Sequence, residues 1–99
     1  MFNNSFLKKL NILFIESNTE DREHFSNILY KFFNNVVVCS NGKDGIDNFL
    51  EKRQEYFVDI IICDKTLEDI TGIEVLKKIR EIDSEIPFII TSPKIEVDD

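Results

Sequence analysis

Ninety-nine residues make one small domain with a single core. Hydrophobic residues account for 42% of the chain and charged ones for 31%, and three Gly with two Pro exclude collagen-like or Pro-rich sequence. Nineteen acids against twelve Lys and Arg give a formal net charge of -7, which repels phosphate backbones and argues against direct nucleic-acid binding.

In chain order, residues 1–10 read as an exposed lead-in or short helical stub. Lys8 and Lys9 lie there without an apolar stretch of signal-peptide length. The first apolar run is Ile12-Leu13-Phe14-Ile15. Three more follow: Val36–Val38, Ile60–Ile62 and Phe88–Ile90. All are β-branched, aromatic or Leu, and continuous rather than alternating. Such runs are expected of strands buried on both faces of a parallel sheet.

A helix-period segment separates each pair of runs. Over Thr19–Phe33, residues Phe25, Ile28, Leu29, Phe32 and Phe33 share one inward face. Ser17, Asn18 or Thr19 can cap its start, where Glu20, Asp21 and Glu23 suit the positive end of the helix dipole. Lys43–Gln54 places Ile46, Phe49 and Leu50 inward. The third helix follows Gly72, carries Val75, Leu76, Ile79 and Ile82 on one side, and ends near Asp83-Ser84. The pattern β-α-β-α-β-α-β predicts an α/β fold, an open doubly wound parallel sheet. No apolar run approaches the ~20 residues of a membrane helix, so no membrane contact is expected. Cys39 and Cys63 are too few for a disulfide framework, so they read as reduced and the compartment as cytoplasmic.

Ligands of open parallel sheets bind beyond the carboxyl ends of the strands. Polar residues gather there after every run: Glu16-Ser17-Asn18, Cys39-Ser40-Asn41-Gly42, Cys63-Asp64-Lys65-Thr66, and Thr91-Ser92. Carboxylates at strand ends are commonly solvated loop residues or helix caps. Asp64 stands apart because it directly follows a buried apolar run, where a charge needs a cation or a donor. If the first and third strands pair, Glu16 adjoins Asp64, and two carboxylates suit a hard cation such as Mg²⁺.

These segments, in order, resemble a response-regulator receiver domain of two-component signalling. The carrying residues are Ile12–Asn18, Asn41–Ile46, Asp59–Leu67, Gly72–Arg80 and Ile86–Ser92. The resemblance implies a flavodoxin-like receiver fold with strand order 2-1-3-4. It divides the chain into the lead-in 1–10 and a receiver domain over 11–99, short of the family's last helix, strand and helix. It implies that Asp64 is the phosphoacceptor for a sensor histidine kinase or phosphotransfer protein. It implies Mg²⁺ held by Glu16, Asp64, the Thr66 backbone carbonyl and the second acid position. That position is Ser17 here, so weak binding is expected. It puts the switch hydroxyl at Ser92, with Thr91 one step off. The family's Lys has no counterpart, since Lys65 and Lys94 are misplaced. No enzymatic activity beyond self-phosphorylation is implied.

The alternative is a phosphorylation-independent pseudo-receiver acting as an interaction module. A flavodoxin is disfavoured because Ser17–Asp21 lacks Gly and carries acids, and a haloacid-dehalogenase phosphatase because Thr66 stands where a second Asp is needed. His24 reads as a surface or half-buried residue and Cys63 as core packing. Phe88–Ile90 is expected to form a bare sheet edge, with Val75, Leu76 and Ile79 partly unshielded, favouring a homodimer through the strand-four side.

Overall fold

The structure, a computed structural model, describes residues 4–55 and 57–92. The elements run α1 (Asn4–Leu7), β1 (Asn11–Ile15), α2 (Thr19–Phe32), β2 (Asn35–Cys39), α3 (Gly42–Lys52), β3 (Ile60–Asp64), α4 (Gly72–Ile82) and β4 (Phe88–Thr91). The strands form one sheet in the order β2-β1-β3-β4, all parallel. Each expected strand and helix is present within a few residues of its expected bounds. The lead-in contains the single turn α1. Lys94 lies outside the described residues.

Local sequence starts each long helix in the same way. An extended residue with a short polar side chain accepts from the amide three residues on: Asn18 from Asp21 at 2.9 Å, Asn41 from Asp44 at 2.8 Å, and Thr71 from Glu74 at 3.1 Å. Each cap satisfies an amide left open by helix geometry and contributes about 1 kcal/mol.

The two faces of the sheet are covered unequally. Leu13, Ile15, Ile61 and Cys63 meet Phe49 of α3 and Val75 and Ile79 of α4 in the main core. Ile12, Phe14, Ile62 and Ile89 alternate to the other face, where α2 lies and forms an apolar cavity with Phe14 and Ile62. Four expectations are corrected here. Only β1 is buried along its whole length: β2 and β4 are the two edges of the described sheet, and in the interior strand β3 Ile60 and Ile62 are half-buried. The apolar stripe of α2 is not buried: Phe25, Ile28 and Phe32 remain 37–39% exposed, since no second described helix shares that face. Leu50 lies outward at 41% exposure, while Val75 and Ile79 are fully shielded at 0%. Bare apolar surface therefore lies on the α2 face of the sheet, while on α4 Val75 and Ile79 are shielded, Leu76 is half-buried and Ile73 is exposed.

At the amino end of the sheet, Asn11 fastens three segments. Its side chain donates to the Phe57 carbonyl at 2.7 Å and accepts from Asn34 and Asn35, and its amide donates to Asp59. This polar network closes one end of the strands and leaves the carboxyl ends to form the site.

Candidate functional site

Pairing of β1 with β3 sets Ile15 beside Cys63, so the next residues, Glu16 and Asp64, emerge together at the carboxyl edge. Both are buried, at 2% and 7% exposure. Both carboxyl groups line the same cavity. Burial is the main cause that raises the Glu16 pKa above its ordinary value. The Asn18 amide, donating to Oε2 at 3.1 Å, opposes the rise, and the charges of Asp64 and Asp21 add to it. Two buried acids in contact form a site where a cation relieves both burial and repulsion. The donor set is hard oxygen, which fits Mg²⁺. Among the described residues, no group of three or more His, Cys, Asp or Glu side chains could hold a metal, so this pair needs backbone oxygen and water to complete a shell.

The pair opens into a cavity of about 450 Å³ lined also by Ser17, Asn18, Asp21, Lys65, Thr66, Leu67, Glu68 and Ser92. Glu16, Ser17, Asp64, Thr66 and Ser92 therefore border one space. Ser92 lines this cavity, whereas Thr91 pairs in register with Asp64 and lines the neighbouring apolar cavity under α2. Lys65 is exposed, and its amide donates to the Thr91 carbonyl at 2.8 Å, which ties the end of β3 to β4.

The loop from Lys65 to Thr71 forms one wall. It closes on itself through a bridge between Thr66 and Thr71 and through the Gly72 amide donating to the Lys65 carbonyl at 2.9 Å. Asp69 anchors its far side, accepting from the Gly42 and Lys43 amides at 2.8 Å each, at the start of α3. Burial pushes the Asp69 pKa up, but the Lys43 and Gly42 amides outweigh it and hold the carboxyl below its ordinary range.

Two contributors, Arg22 and Asp69, were not singled out in the sequence. Arg22 donates from Nη1 to the Glu16 and Ser17 carbonyls at 3.1 Å each, which fixes the turn carrying the first acid. Its position in the first turns of α2, beside an acidic loop, was the available signal. Asp69 gave no signal, because its partners lie across the fold. Ser17 was placed in the site, but its hydroxyl partners were not: it donates to the Ser40 carbonyl at 2.7 Å and accepts from the Glu68 amide at 3.0 Å. Burial, with Asp64, Glu16 and Asp69 nearby, pushes the Cys63 thiol up to about 12, and Cys39 is raised to about 11 mainly by burial. Both thiols are therefore unreactive packing groups. His24 is exposed and packs edge-on against Phe25.

Comparison with known proteins places this geometry. The family model for the response regulator receiver domain matches residues 12–99. The sensory transduction protein LytT of Oceanobacillus iheyensis is 34% identical over 86 residues, covering 85% of this chain and 34% of that protein. The chain spans 11% to 37% of the length of the curated relatives it matches. Among solved structures, the N-terminal domain of an uncharacterized protein from Wolinella succinogenes is 29% identical with TM-score 0.76, over 88% of this chain and 67% of that one. CheY in the CheX-CheY-BeF3-Mg²⁺ complex from Borrelia burgdorferi shares the fold at 20% identity and TM-score 0.77, over 94% and 69% of the two chains.

Proposed function

The chain belongs to the response regulator receiver domain family, the phosphoryl-accepting modules of two-component signal transduction, and we propose that Asp64 is its phosphoacceptor. The observation that carries this reading is the buried Glu16–Asp64 pair at the floor of an open cavity. A carboxylate oxygen of Asp64 attacks the phosphorus of a phosphohistidine on a sensor kinase or phosphotransfer protein. The P–O bond forms as the P–N bond breaks, and the electron pair stays on the donor imidazole nitrogen.

Each neighbouring residue has a part in that step. Glu16, Asp64 and the Thr66 carbonyl would hold Mg²⁺, which supplies positive charge against the phosphoryl oxygens. Glu16 in its raised-pKa position keeps a second acid against Asp64, and Arg22 fixes the backbone that presents it. Ser92, at the rim of the cavity, is the hydroxyl that would close on a phosphoryl oxygen and carry the signal into β4. Among the described residues only Glu16 and Asp64 offer buried carboxylate, so affinity for Mg²⁺ is low.

The partner surface extends from the site. Ile89 is 49% exposed on β4, one of the two edge strands of the described sheet, on the sheet face that α2 covers only in part. That surface supports self-association through the strand-four side as well as docking of the phosphoryl donor. No described helix is long and apolar enough to cross a membrane.

The test is phosphorylation by acetyl phosphate with Mg²⁺, compared between the wild type and Asp64→Ala. Labelling of the wild type alone supports the reading. Equal labelling overturns Asp64 as the acceptor, and no labelling in either protein overturns the reading in favour of a phosphorylation-independent module.

A further inference from the structure

We propose that Ser17 is a positioning residue, whose hydroxyl straps three loops together and holds the Thr66–Glu68 wall over the acid pair without help from a cation. The inference rests on the reading of Asp64 as phosphoacceptor for its functional consequence, but the strap itself stands on geometry.

Ser17 follows β1, its acceptor Ser40 follows β2, and its donor Glu68 follows β3. The partners lie 23 and 51 residues away in sequence. One hydroxyl thus joins the loops at the carboxyl ends of three adjacent strands. The loop 65–71 is secured at its base by Gly72 and Lys65, and at its far side by Asp69 on the start of α3. Glu68 lies between those anchors, and its amide is the point at which Ser17 takes hold. Thr66, Leu67 and Glu68 all line the cavity, so the position of this segment sets the space above Asp64.

The chemistry of the position is specific. The strap needs one group that donates to a carbonyl and accepts from an amide at the same time, which a hydroxyl does. An alanine can do neither. A carboxylate can accept from Glu68 but cannot donate to Ser40, and it would set a negative oxygen against that carbonyl. A threonine preserves both bonds. The position thus exchanges a charge for a fixed hydrogen-bond bridge, and the wall is preformed before any ion or phosphoryl group enters.

Amide hydrogen exchange by NMR on the full chain in chelator tests the strap, with Ser17→Ala, Ser17→Thr and Ser17→Asp. The Glu68 amide is protected in the wild type and in Ser17→Thr. In Ser17→Ala it exchanges about tenfold faster, the equivalent of one lost hydrogen bond, while the β1 and β3 amides are unchanged. Beryllofluoride affinity in the presence of Mg²⁺ falls in Ser17→Ala and returns in Ser17→Thr. Equal Glu68 exchange in wild type and Ser17→Ala, or faster exchange spread over the whole sheet, overturns the strap. Beryllofluoride affinity that is equal in those two proteins overturns its role in positioning. If the wild type takes up no beryllofluoride at all, the phosphoacceptor reading falls, and the Glu68 exchange rates alone uphold or overturn the strap.

Discussion

Gly72→Ala is the substitution that reaches the site through backbone alone. A Cβ at Gly72 would stand 2.5 Å from the Asp64 carbonyl oxygen, 3.2 Å from Lys65 Cα and 3.3 Å from Asp64 C. None of these atoms belongs to a side chain that could rotate away. Relief requires the first turn of α4 and the end of β3 to separate toward the ordinary contact range of about 3.5–4 Å. Val75 and Ile79, both 0% exposed, hold α4 on the sheet against that movement, and the Gly72 amide loses alignment with the Lys65 carbonyl. Overpacking of this kind costs about 1–3 kcal/mol. Better helix propensity returns at most about 1 kcal/mol, and less at a first-turn position. A net loss of about 1–2 kcal/mol lowers the melting temperature by roughly 5–15 °C in a domain of this size. Circular-dichroism melts read the stability, and beryllofluoride titration reads the displacement of Asp64. Melting within a degree or two of wild type would show that α4 does not approach β3 this closely, and would refute the reasoning.

Other perturbations have equally definite outcomes. In chelator, Asp64→Asn keeps the fold and raises the melting temperature, because it removes one of two adjoining buried acids; a clear decrease would mean that a cation such as Lys65 pairs the charge. Asp69→Asn destabilises by about 1 kcal/mol at neutral pH by weakening two charge-assisted amide bonds. Because the folded pKa of Asp69 lies below its ordinary 3.8, that stabilisation is complete above the unfolded value and disappears as pH falls through the folded one. The gap between wild-type and Asp69→Asn melts should therefore close in acid, and a gap independent of pH would contradict the assignment. Ser17→Asp tightens Mg²⁺ by adding a third acid but lowers stability in chelator by breaking the bond to Ser40; unchanged Mg²⁺ affinity by NMR titration would place residue 17 outside the ion's reach. Ile89→Lys abolishes concentration-dependent sedimentation if β4 mediates self-association, and a wild type monomeric at every concentration would remove that surface as an interface.

The strands were legible because continuous β-branched runs in a small domain have few other uses, and their spacing by helix-period segments fixed the order of elements. Glu16 and Asp64 were legible for the same reason: strand ends in a parallel sheet converge on one edge, and pairing of β1 with β3 brings these two together. Helical period told which side of α2 is apolar, but not whether a surface exists to cover it, and Phe25, Ile28 and Phe32 remain half exposed. Leu50 fits the inward period of α3 yet lies outward, only two residues from the end of the helix. The hydrogen bonds of Ser17, Arg22 and Asp69 depend on loops that meet only after the sheet has formed. Motif position identified residue 17 as part of the site, while its partners at Ser40 and Glu68 required the fold.

The central claim is that the carboxylate of Asp64 accepts a phosphoryl group. Intact-mass analysis after incubation with acetyl phosphate and Mg²⁺, followed by peptide mapping after borohydride trapping of the acyl phosphate, tests it most directly. The expected result is the mass of one added phosphoryl group, its loss in base, reduction of Asp64 alone, and no addition in Asp64→Ala. A wild-type protein that gains no mass, or an Asp64→Ala protein that gains the same mass, would contradict it.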